Sequence, residues 1–142
     1  MISSQCLRQI GHLLAQPHKP YRIRLAARPI NAQDPFLYHK TTWRRVYDQA
    51  LAACPGFDDV LLWNEKEELT ESCIANLVVE RDGRLFTPPL PCGLLAGTYR
   101  RSLLDQKRVE EEVIRIQDLP NCRKIYLMNS LRGMWEVAVT QA

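Results

Sequence analysis

Short apolar segments separated by proline, glycine and polar residues run through most of the chain, a pattern typical of short strands. Between positions 21 and 28, Ile23 and Leu25 point to one face while Arg22 and Arg24 point to the other, which predicts a half-buried strand. Four more apolar segments predict further strands. They lie at residues 60–63, 73–80, 124–128 and 134–139.

Three segments carry the signals of helices. Residues 1–16 repeat apolar positions at helical spacing and end at two prolines. A second helix is expected from a cap at Thr41 or Thr42 to about residue 54, and its apolar stripe, which includes Tyr47, is expected to pack into the core. A third is expected to begin near Thr98, after a loop that contains glycine.

An Asp82-Gly83 pair predicts a tight hairpin turn, because both central residues of such a turn adopt positive φ. Leu85–Thr87 is then the returning strand, which ends at the pair Pro88-Pro89. The mixture of short strands and a few helices predicts an α+β fold, in which an irregular, curled sheet or barrel is flanked by helices.

Length and composition narrow the class of protein. The chain has 142 residues, 46% of them hydrophobic and 25% charged, as in one ordinary soluble domain. No segment reaches the roughly 18 apolar residues of a membrane span, and the N-terminus lacks the apolar stretch of a signal peptide. We therefore expect a cytoplasmic protein without a membrane partner.

Charge and metal-binding residue types exclude further classes. The net charge is only +3, although the first 45 residues carry eight basic residues against Asp34 alone. Aromatic residues do not alternate with this basic set, so nucleic-acid binding is not expected. The five cysteines form no C-x-x-C pair and the three histidines no helical metal pair, so we expect neither a zinc site nor a disulfide framework.

Three features are candidates for chemistry. Lys40 stands in a partly apolar context that would favour a neutral amine, and Glu71 directly precedes an apolar segment that could hold it out of water. The loop ending in Gly97 and Thr98 leads into a helix whose free backbone N–H groups suit a phosphate. Each has a plain structural alternative: a surface lysine, a capping carboxylate and an ordinary helix start.

Four motifs, in the same order along the chain, resemble one family and favour the functional interpretation of these features over the structural one. They are PFLYHKTTWRRVY, DDVLLWNEKEELTESCIANLVVERDGRLFTPPL, CGLLAGTYRRSLL and YLMNSLRGMWEV, and together they extend from Phe36 to Val139. They resemble the C-terminal domain of the class IV, D-amino acid aminotransferase-like enzymes, which depend on pyridoxal 5′-phosphate. The YHKTT and NSLRG segments are most similar to the 4-amino-4-deoxychorismate lyase domain fused to aminodeoxychorismate synthase component I.

The resemblance implies a role for each matching residue. Lys40 would bind pyridoxal phosphate covalently, and Glu71 would face the pyridine nitrogen and keep it protonated. The backbone N–H groups of Thr98 and Tyr99 would hold the phosphate, together with Ser130 from a second loop. No metal is implied. These types suit the chemistry, because an aldehyde needs a neutral amine and a pyridinium needs a carboxylate.

The implied activity is release of pyruvate from 4-amino-4-deoxychorismate to give 4-aminobenzoate for folate synthesis. Two alternatives stay open: a class IV aminotransferase of branched-chain or D-amino acids, and a catalytically silent remnant that acts as an interaction module. The chain departs from the branched-chain members in having Arg45 where they carry a tyrosine five positions after the lysine. That departure weighs against the aminotransferase.

The resemblance also implies a division of the chain. Residues 1–35 form an N-terminal helix, linker and strand, and residues 36–142 form the domain that binds pyridoxal phosphate. The family's usual N-terminal domain closes the cofactor cleft, and we expect no counterpart of it before Phe36. We therefore expect a small-molecule substrate, aminodeoxychorismate or an amino acid, and either a homodimer or a partner that supplies the other half.

Overall fold

The computed structural model describes residues 21–40, 42 and 44–141. The helix expected over residues 1–16 lies outside them. The strands are β1 (Tyr21–Leu25), β2 (Asp59–Trp63), β3 (Leu69–Ser72), β4 (Asn76–Arg81), β5 (Arg84–Thr87), β6 (Glu110–Glu111), β7 (Lys124–Asn129) and β8 (Gly133–Thr140). The helices are α1 (Arg45–Ala52) and α2 (Thr98–Asp105), with 3₁₀ helices at Pro35–Leu37, Leu90–Cys92 and Ile116–Asn121.

Of the eight strands in the described residues, six close into a barrel. The sheet order is β3-β2-β1-β8-β7-β4-β5-β6, and β3 also pairs with β4, so the first six form a ring that β5 and β6 extend. β1 is parallel to both of its neighbours, β2 and β8, and the other ring pairs are antiparallel. The predicted α+β fold with a curled, barrel-like sheet is confirmed.

The predicted N-terminal strand is part of this barrel. β1 covers Tyr21–Leu25 and lies between β2 and β8, so it shares a sheet with strands from the rest of the chain. Ile23 is fully buried, whereas Arg22 and Arg24 face outward and their guanidinium groups lie over the ring of Phe57. The alternation of apolar and basic residues therefore predicted correctly which face of β1 points into the barrel.

The barrel interior is filled by apolar side chains from every strand of the ring. They form one buried cluster, which includes Ile23, Leu61, Leu69, Leu77, Val79, Leu127, Trp135 and Val137. Burial of each leucine or valine contributes roughly 1.5–3 kcal/mol, so this cluster is the main source of stability. Because successive residues of a strand point to opposite faces, the residues between them are left for the outer surface.

Helices cover two parts of the outer surface. α1 packs on β2, where Tyr47 lies with Val60 and Leu62. α2 packs on β4 and β7, where Leu103 lies with Val78 and Met128. Both helices have eight residues, and among the described residues no helix is long and apolar enough to cross a membrane.

The hairpin and two helix starts can be compared with the sequence. Asp82 and Gly83 have φ of 51° and 75°, so the predicted tight turn between β4 and β5 is confirmed. α2 begins at Thr98 as predicted. α1 begins at Arg45 with Arg44 as its N-cap, two or three residues later than the expected cap at Thr42 or Thr41. Thr41 lies outside the described residues.

The strand predicted over residues 73–80 is wrong at its N-terminal end, because β4 begins at Asn76. Ser72 ends β3, and its backbone N–H donates to the Ala75 carbonyl (2.9 Å) while its Oγ accepts from the Ala75 N–H (3.0 Å). This tight turn reverses the chain before β4 begins at Asn76. The turn sets Glu71 directly opposite Asn76 in the pair that closes the barrel.

Candidate active site

A cavity of about 350 Å³ lies outside the barrel, against the closing pair of β3 and β4. All five residues expected to form the site line it: Lys40, Glu71, Thr98, Tyr99 and Ser130. They come from four separate parts of the sequence, so the fold brings together what the motifs only suggested. The lining also includes His39, Arg44, Tyr47, Asn76 and Asn129.

Glu71 forms the buried end of the cavity, with only 4% of its surface exposed. The Tyr47 hydroxyl donates to its Oε1 (2.8 Å), and the Asn76 Nδ2 and the Leu95 N–H donate to its Oε2 (3.3 Å each). The pairing of β2 with β3 shifts register between Leu69 and Ser72, so Leu69 lies in the barrel interior whereas Glu71, opposite Asn76, lines the cavity outside. The carboxylate is therefore fixed by α1, by β4 and by the loop before α2.

The electrostatic setting of Glu71 is unusual for a carboxyl group. Burial raises its pKa from 4.5 to about 8, although the hydrogen bonds from Tyr47 and Leu95 and the charge of Arg44 act in the opposite direction. Among the described residues, no cationic side chain forms a salt bridge with it. A carboxyl group in this state would be stabilised by a ligand that brings an N–H donor with positive charge.

The opposite wall of the cavity is rich in backbone donors. α2 begins at Thr98 after Gly97, and no side chain caps this end. The first N–H groups of a helix have no partner within it, so those of Thr98 and Tyr99 are available to an anion. Ser130 lies in the turn after β7, which Asn129 orders by accepting from the Leu131 N–H (3.1 Å) and the Arg132 N–H (2.8 Å).

Tyr99 connects the two anion-facing segments. It lies in the first turn of α2, and its ring packs with the cluster that contains Met128. A Cβ on Gly133, at the end of the Ser130 turn, would lie 3.7 Å from the Tyr99 hydroxyl. The start of α2 and this turn are thus held side by side.

Lys40 lies on the solvent side of the cavity. It is exposed and follows the 3₁₀ helix of Pro35–Leu37, in which the Phe36 N–H donates to the Asp34 Oδ1 (3.0 Å). The donor set of the cavity therefore combines an exposed amine, a buried carboxyl and an uncapped helix end. Pyridoxal phosphate carries an aldehyde, a pyridine nitrogen and a phosphate, so the residues present fit this cofactor.

The motifs did not single out three of the residues that shape this site. Tyr47 belongs to the predicted apolar stripe of α1, and its ring does pack in the core, but its hydroxyl reaches Glu71. Asn76 lies beside Glu71 because the chain turns at Ser72, and the apolar pattern of the sequence does not predict that turn. Arg44 lies over the Tyr47 ring (4.7 Å) and donates to the Cys73 carbonyl.

Arg45, the position compared with the tyrosine of branched-chain enzymes, lies elsewhere. It lines a second, shallow groove on α1 with Asp48 and Gln49. Arg44, one residue earlier, lines the main cavity. Among the described residues, no group of three or more histidine, cysteine, aspartate or glutamate side chains could hold a metal ion.

Comparison with known proteins identifies a family. The sequence matches the family Amino-transferase class IV over residues 6–139. A Schizosaccharomyces pombe protein provisionally named aminodeoxychorismate lyase is 33% identical over 80% of this chain and 52% of its own length. Aminodeoxychorismate lyase of Vibrio harveyi is 26% identical over 90% of this chain and 50% of its own length. The chain thus spans about half the length of these relatives.

A solved structure gives the same fold. The crystal structure of a Mesorhizobium loti protein, provisionally described as an amino-acid aminotransferase, superposes with a TM-score of 0.81. The two sequences are 37% identical, and the match covers 87% of this chain and 61% of the other.

Proposed function

Since the chain belongs to the class IV aminotransferase family, we propose that its cavity binds pyridoxal 5′-phosphate and forms part of a 4-amino-4-deoxychorismate lyase. The observation that carries the proposal is the single cavity that contains Lys40, Glu71 and the start of α2. Two relatives carry the name aminodeoxychorismate lyase, which supports this reaction over others of the family. The products would be pyruvate and 4-aminobenzoate, a folate precursor.

Each residue would act on a different part of the cofactor. Lys40 would attach its Nζ to the aldehyde carbon, and Glu71 would hold the proton of the pyridine nitrogen. The Thr98 and Tyr99 N–H groups and Ser130 would bind the phosphate oxygens, which carry the charge that a helix N-terminus favours. When bound, pyridoxal phosphate supplies an electron-poor ring that accepts the electron pair of a bond broken in the substrate.

The protein's own residues then handle protons. The free amine of Lys40 would take the proton from the substrate carbon that bears the amino group, as the C–O bond to the enolpyruvyl group breaks, and would deliver it to the methylene carbon of the departing enolpyruvate, which leaves as pyruvate. The raised pKa of Glu71 means that this carboxyl holds a proton near neutral pH in the free protein. It can therefore pass that proton to a ring nitrogen and remain as its ion-pair partner.

The surroundings of the cavity support a further covering surface. Phe36 (45% exposed) and Ile74 (45%) line the cavity, and Leu131 (54%) follows Ser130 at its edge. Large apolar side chains grouped around a polar cleft are typical of a surface that another protein element covers. We propose that a second copy of the chain, or a partner with the other half of the relatives' length, covers it.

An aminotransferase is the second candidate, and the 37% identity to the Mesorhizobium loti protein favours it. Both candidates use Lys40 and Glu71 in the same positions. They differ in whether the substrate carbon skeleton is cleaved or only exchanges its amino group.

Product analysis separates the two candidates. The chain, alone and together with the N-terminal half of a lyase relative, is given pyridoxal phosphate and 4-amino-4-deoxychorismate. We expect pyruvate and 4-aminobenzoate in equal amounts, and neither product with Lys40→Ala. Transfer of an amino group from a branched-chain or D-amino acid to a 2-oxo acid, without 4-aminobenzoate, would instead identify an aminotransferase.

A further inference from the structure

Asn76 connects the carboxyl end of the cavity to the helix end. Its Nδ2 lies 3.3 Å from Glu71 Oε2 and 2.9 Å from the Leu95 carbonyl oxygen, and it donates to both. The N–H of the same Leu95 donates to Glu71 Oε2 (3.3 Å). Glu71, Asn76 and Leu95 therefore form a closed ring of hydrogen bonds, and Leu95 is only three residues before Thr98.

Gly97 meets this ring at close range. Its φ of −64° and ψ of 145° are open to any residue, so backbone conformation does not explain the glycine. A Cβ at position 97 would lie 2.3 Å from Asn76 Oδ1 and 3.5 Å from its Cγ. The first distance is far below van der Waals contact. The missing side chain at Gly97 is what lets α2 start beside the Asn76 amide.

We propose that the Asn76–Gly97 contact sets the distance between Glu71 and the N-terminus of α2, so that Asn76 is a positioning residue for the cofactor. This inference rests on the proposed function, in which those two places hold the two ends of one rigid molecule. A ligand with two fixed attachment points requires their spacing to within about 0.5 Å.

The loop that leads into α2 is placed by its contacts with β3 and β4. β3 and β4 pair in register only at Glu71 and Asn76, so the barrel places both residues but not the loop of Leu95 and Gly97. The loop is held to them by the Asn76 amide and by Glu71 itself. If Asn76 moves, Glu71 loses the hydrogen bond from the Asn76 amide. The Leu95 carbonyl then loses its bond from Asn76, which frees the loop and weakens the bond from the Leu95 N–H to Glu71.

The pKa of Glu71 reports this arrangement without any cofactor. Loss of hydrogen bonds to a buried carboxylate favours its protonated form, so its pKa rises. The charged and titratable groups that interact with Glu71 come from all the surrounding elements and are kept in every variant: Tyr47, Arg44, Asp59, Cys73 and Arg100.

The test is a double-mutant cycle on the full chain, with the pKa of Glu71 measured by NMR titration. We expect Asn76→Ala and Gly97→Ala each to raise that pKa by about 1, as the loss of a hydrogen bond to a charged group predicts. Gly97→Ala in the Asn76→Ala background should change it little further, because the clashing amide is gone. Asn76→Asp should raise it more, since it places a second carboxylate against the first.

Two further readouts complete the experiment. Affinity for pyridoxal phosphate should fall about tenfold in either single variant and by no more in the double variant. Asn129→Ala removes another asparagine of the cavity wall and should leave the pKa of Glu71 unchanged. If Asn76→Ala does not fold, Asn76→Ser takes its place in the cycle.

An unchanged pKa in Asn76→Ala, or equal effects of Gly97→Ala in both backgrounds, would overturn the positioning role. Failure of the proposed function has a different signature. In that case the wild-type chain does not bind pyridoxal phosphate, yet the pKa cycle still shows whether Asn76 and Gly97 act together.

Discussion

The inner and outer faces of β3 and β4 differ in what they are built to do. Inside the barrel, Leu77 and Val79 belong to the buried apolar cluster. Outside, on the same pair of strands, Glu71 and Asn76 are also buried but are held by hydrogen bonds. The first face contributes stability through apolar burial. The second keeps a carboxyl out of water, which costs stability and gives that carboxyl unusual chemistry.

This difference predicts that substitutions on the two faces fail in different ways. Interior substitutions should lower the free energy of unfolding at every pH. Cavity-wall substitutions should act mainly on protonation and on cofactor binding. The experiments below compare one face with the other.

The largest effect is expected in the barrel interior. Leu127 is fully buried on β7, so Leu127→Ala should leave a cavity and lower the free energy of unfolding by about 2–5 kcal/mol. Denaturant unfolding at pH 5 and pH 8 measures it, and the loss should be the same at both values. Leu131→Ala is the matched control, because Leu131 is 54% exposed and should change stability by less than about 0.5 kcal/mol. A loss that depends strongly on pH would mean that the two faces are not separate.

The next effect is the pH dependence caused by Glu71. Its pKa is raised to about 8 by burial, so between its ordinary value of 4.5 and 8 the folded state holds a proton that the unfolded state has lost. The free energy of unfolding should therefore fall as pH rises from about 5 to 8, by an amount on the order of a few kcal/mol.

Glu71→Gln removes this titration and supplies the comparison. Relative to wild type, the variant should become more stable as the pH rises through that window. Asp59, whose pKa burial also raises, is present in both proteins, so the difference between them reports Glu71 together with its charge interaction with Asp59. Parallel stability curves for wild type and Glu71→Gln would show that this carboxyl is ionised throughout and that its site is wetter than the structure indicates.

The smallest of these effects concerns Tyr47, whose ring packs in an apolar cluster while its hydroxyl donates to Glu71. Tyr47→Phe keeps the ring in the core and removes the donor 2.8 Å from Glu71 Oε1. We expect a loss of about 1 kcal/mol in unfolding free energy and a higher pKa of Glu71. NMR titration measures the second quantity. Tyr126→Phe, on the outer face of β7, should leave the pKa of Glu71 unchanged, and an equal change in both variants would remove Tyr47 from the site.

The apolar pattern predicted most of the barrel because that pattern is the physical cause of it. The alternation at Ile23 and Leu25, the hairpin at Asp82-Gly83 and the last two strands follow directly from burial and turn chemistry. β3 was missed because Thr70, Glu71 and Ser72 are polar residues buried in a strand, which a hydrophobic pattern cannot show.

The site was predictable in its members but not in its connections. The resemblance named Lys40, Glu71, Thr98, Tyr99 and Ser130, and all five line one cavity. The contacts of Glu71 with Tyr47 and Asn76 depend on how α1 and β4 pack around the Ser72 turn, which is tertiary information. The close approach of Gly97 to Asn76 is of the same kind, because nothing local to the helix start requires a glycine there.

The central claim is that this cavity holds pyridoxal phosphate through Lys40, and one measurement tests it most directly. The pure chain is incubated with the cofactor and reduced with borohydride, and its peptides are mapped by mass spectrometry. We expect one phosphopyridoxyl group, on Lys40, and none in Lys40→Ala. This variant should keep its fold, because the Lys40 side chain is exposed. Label spread evenly over Lys19, Lys66, Lys107 and Lys124, or its persistence in Lys40→Ala, would contradict the claim.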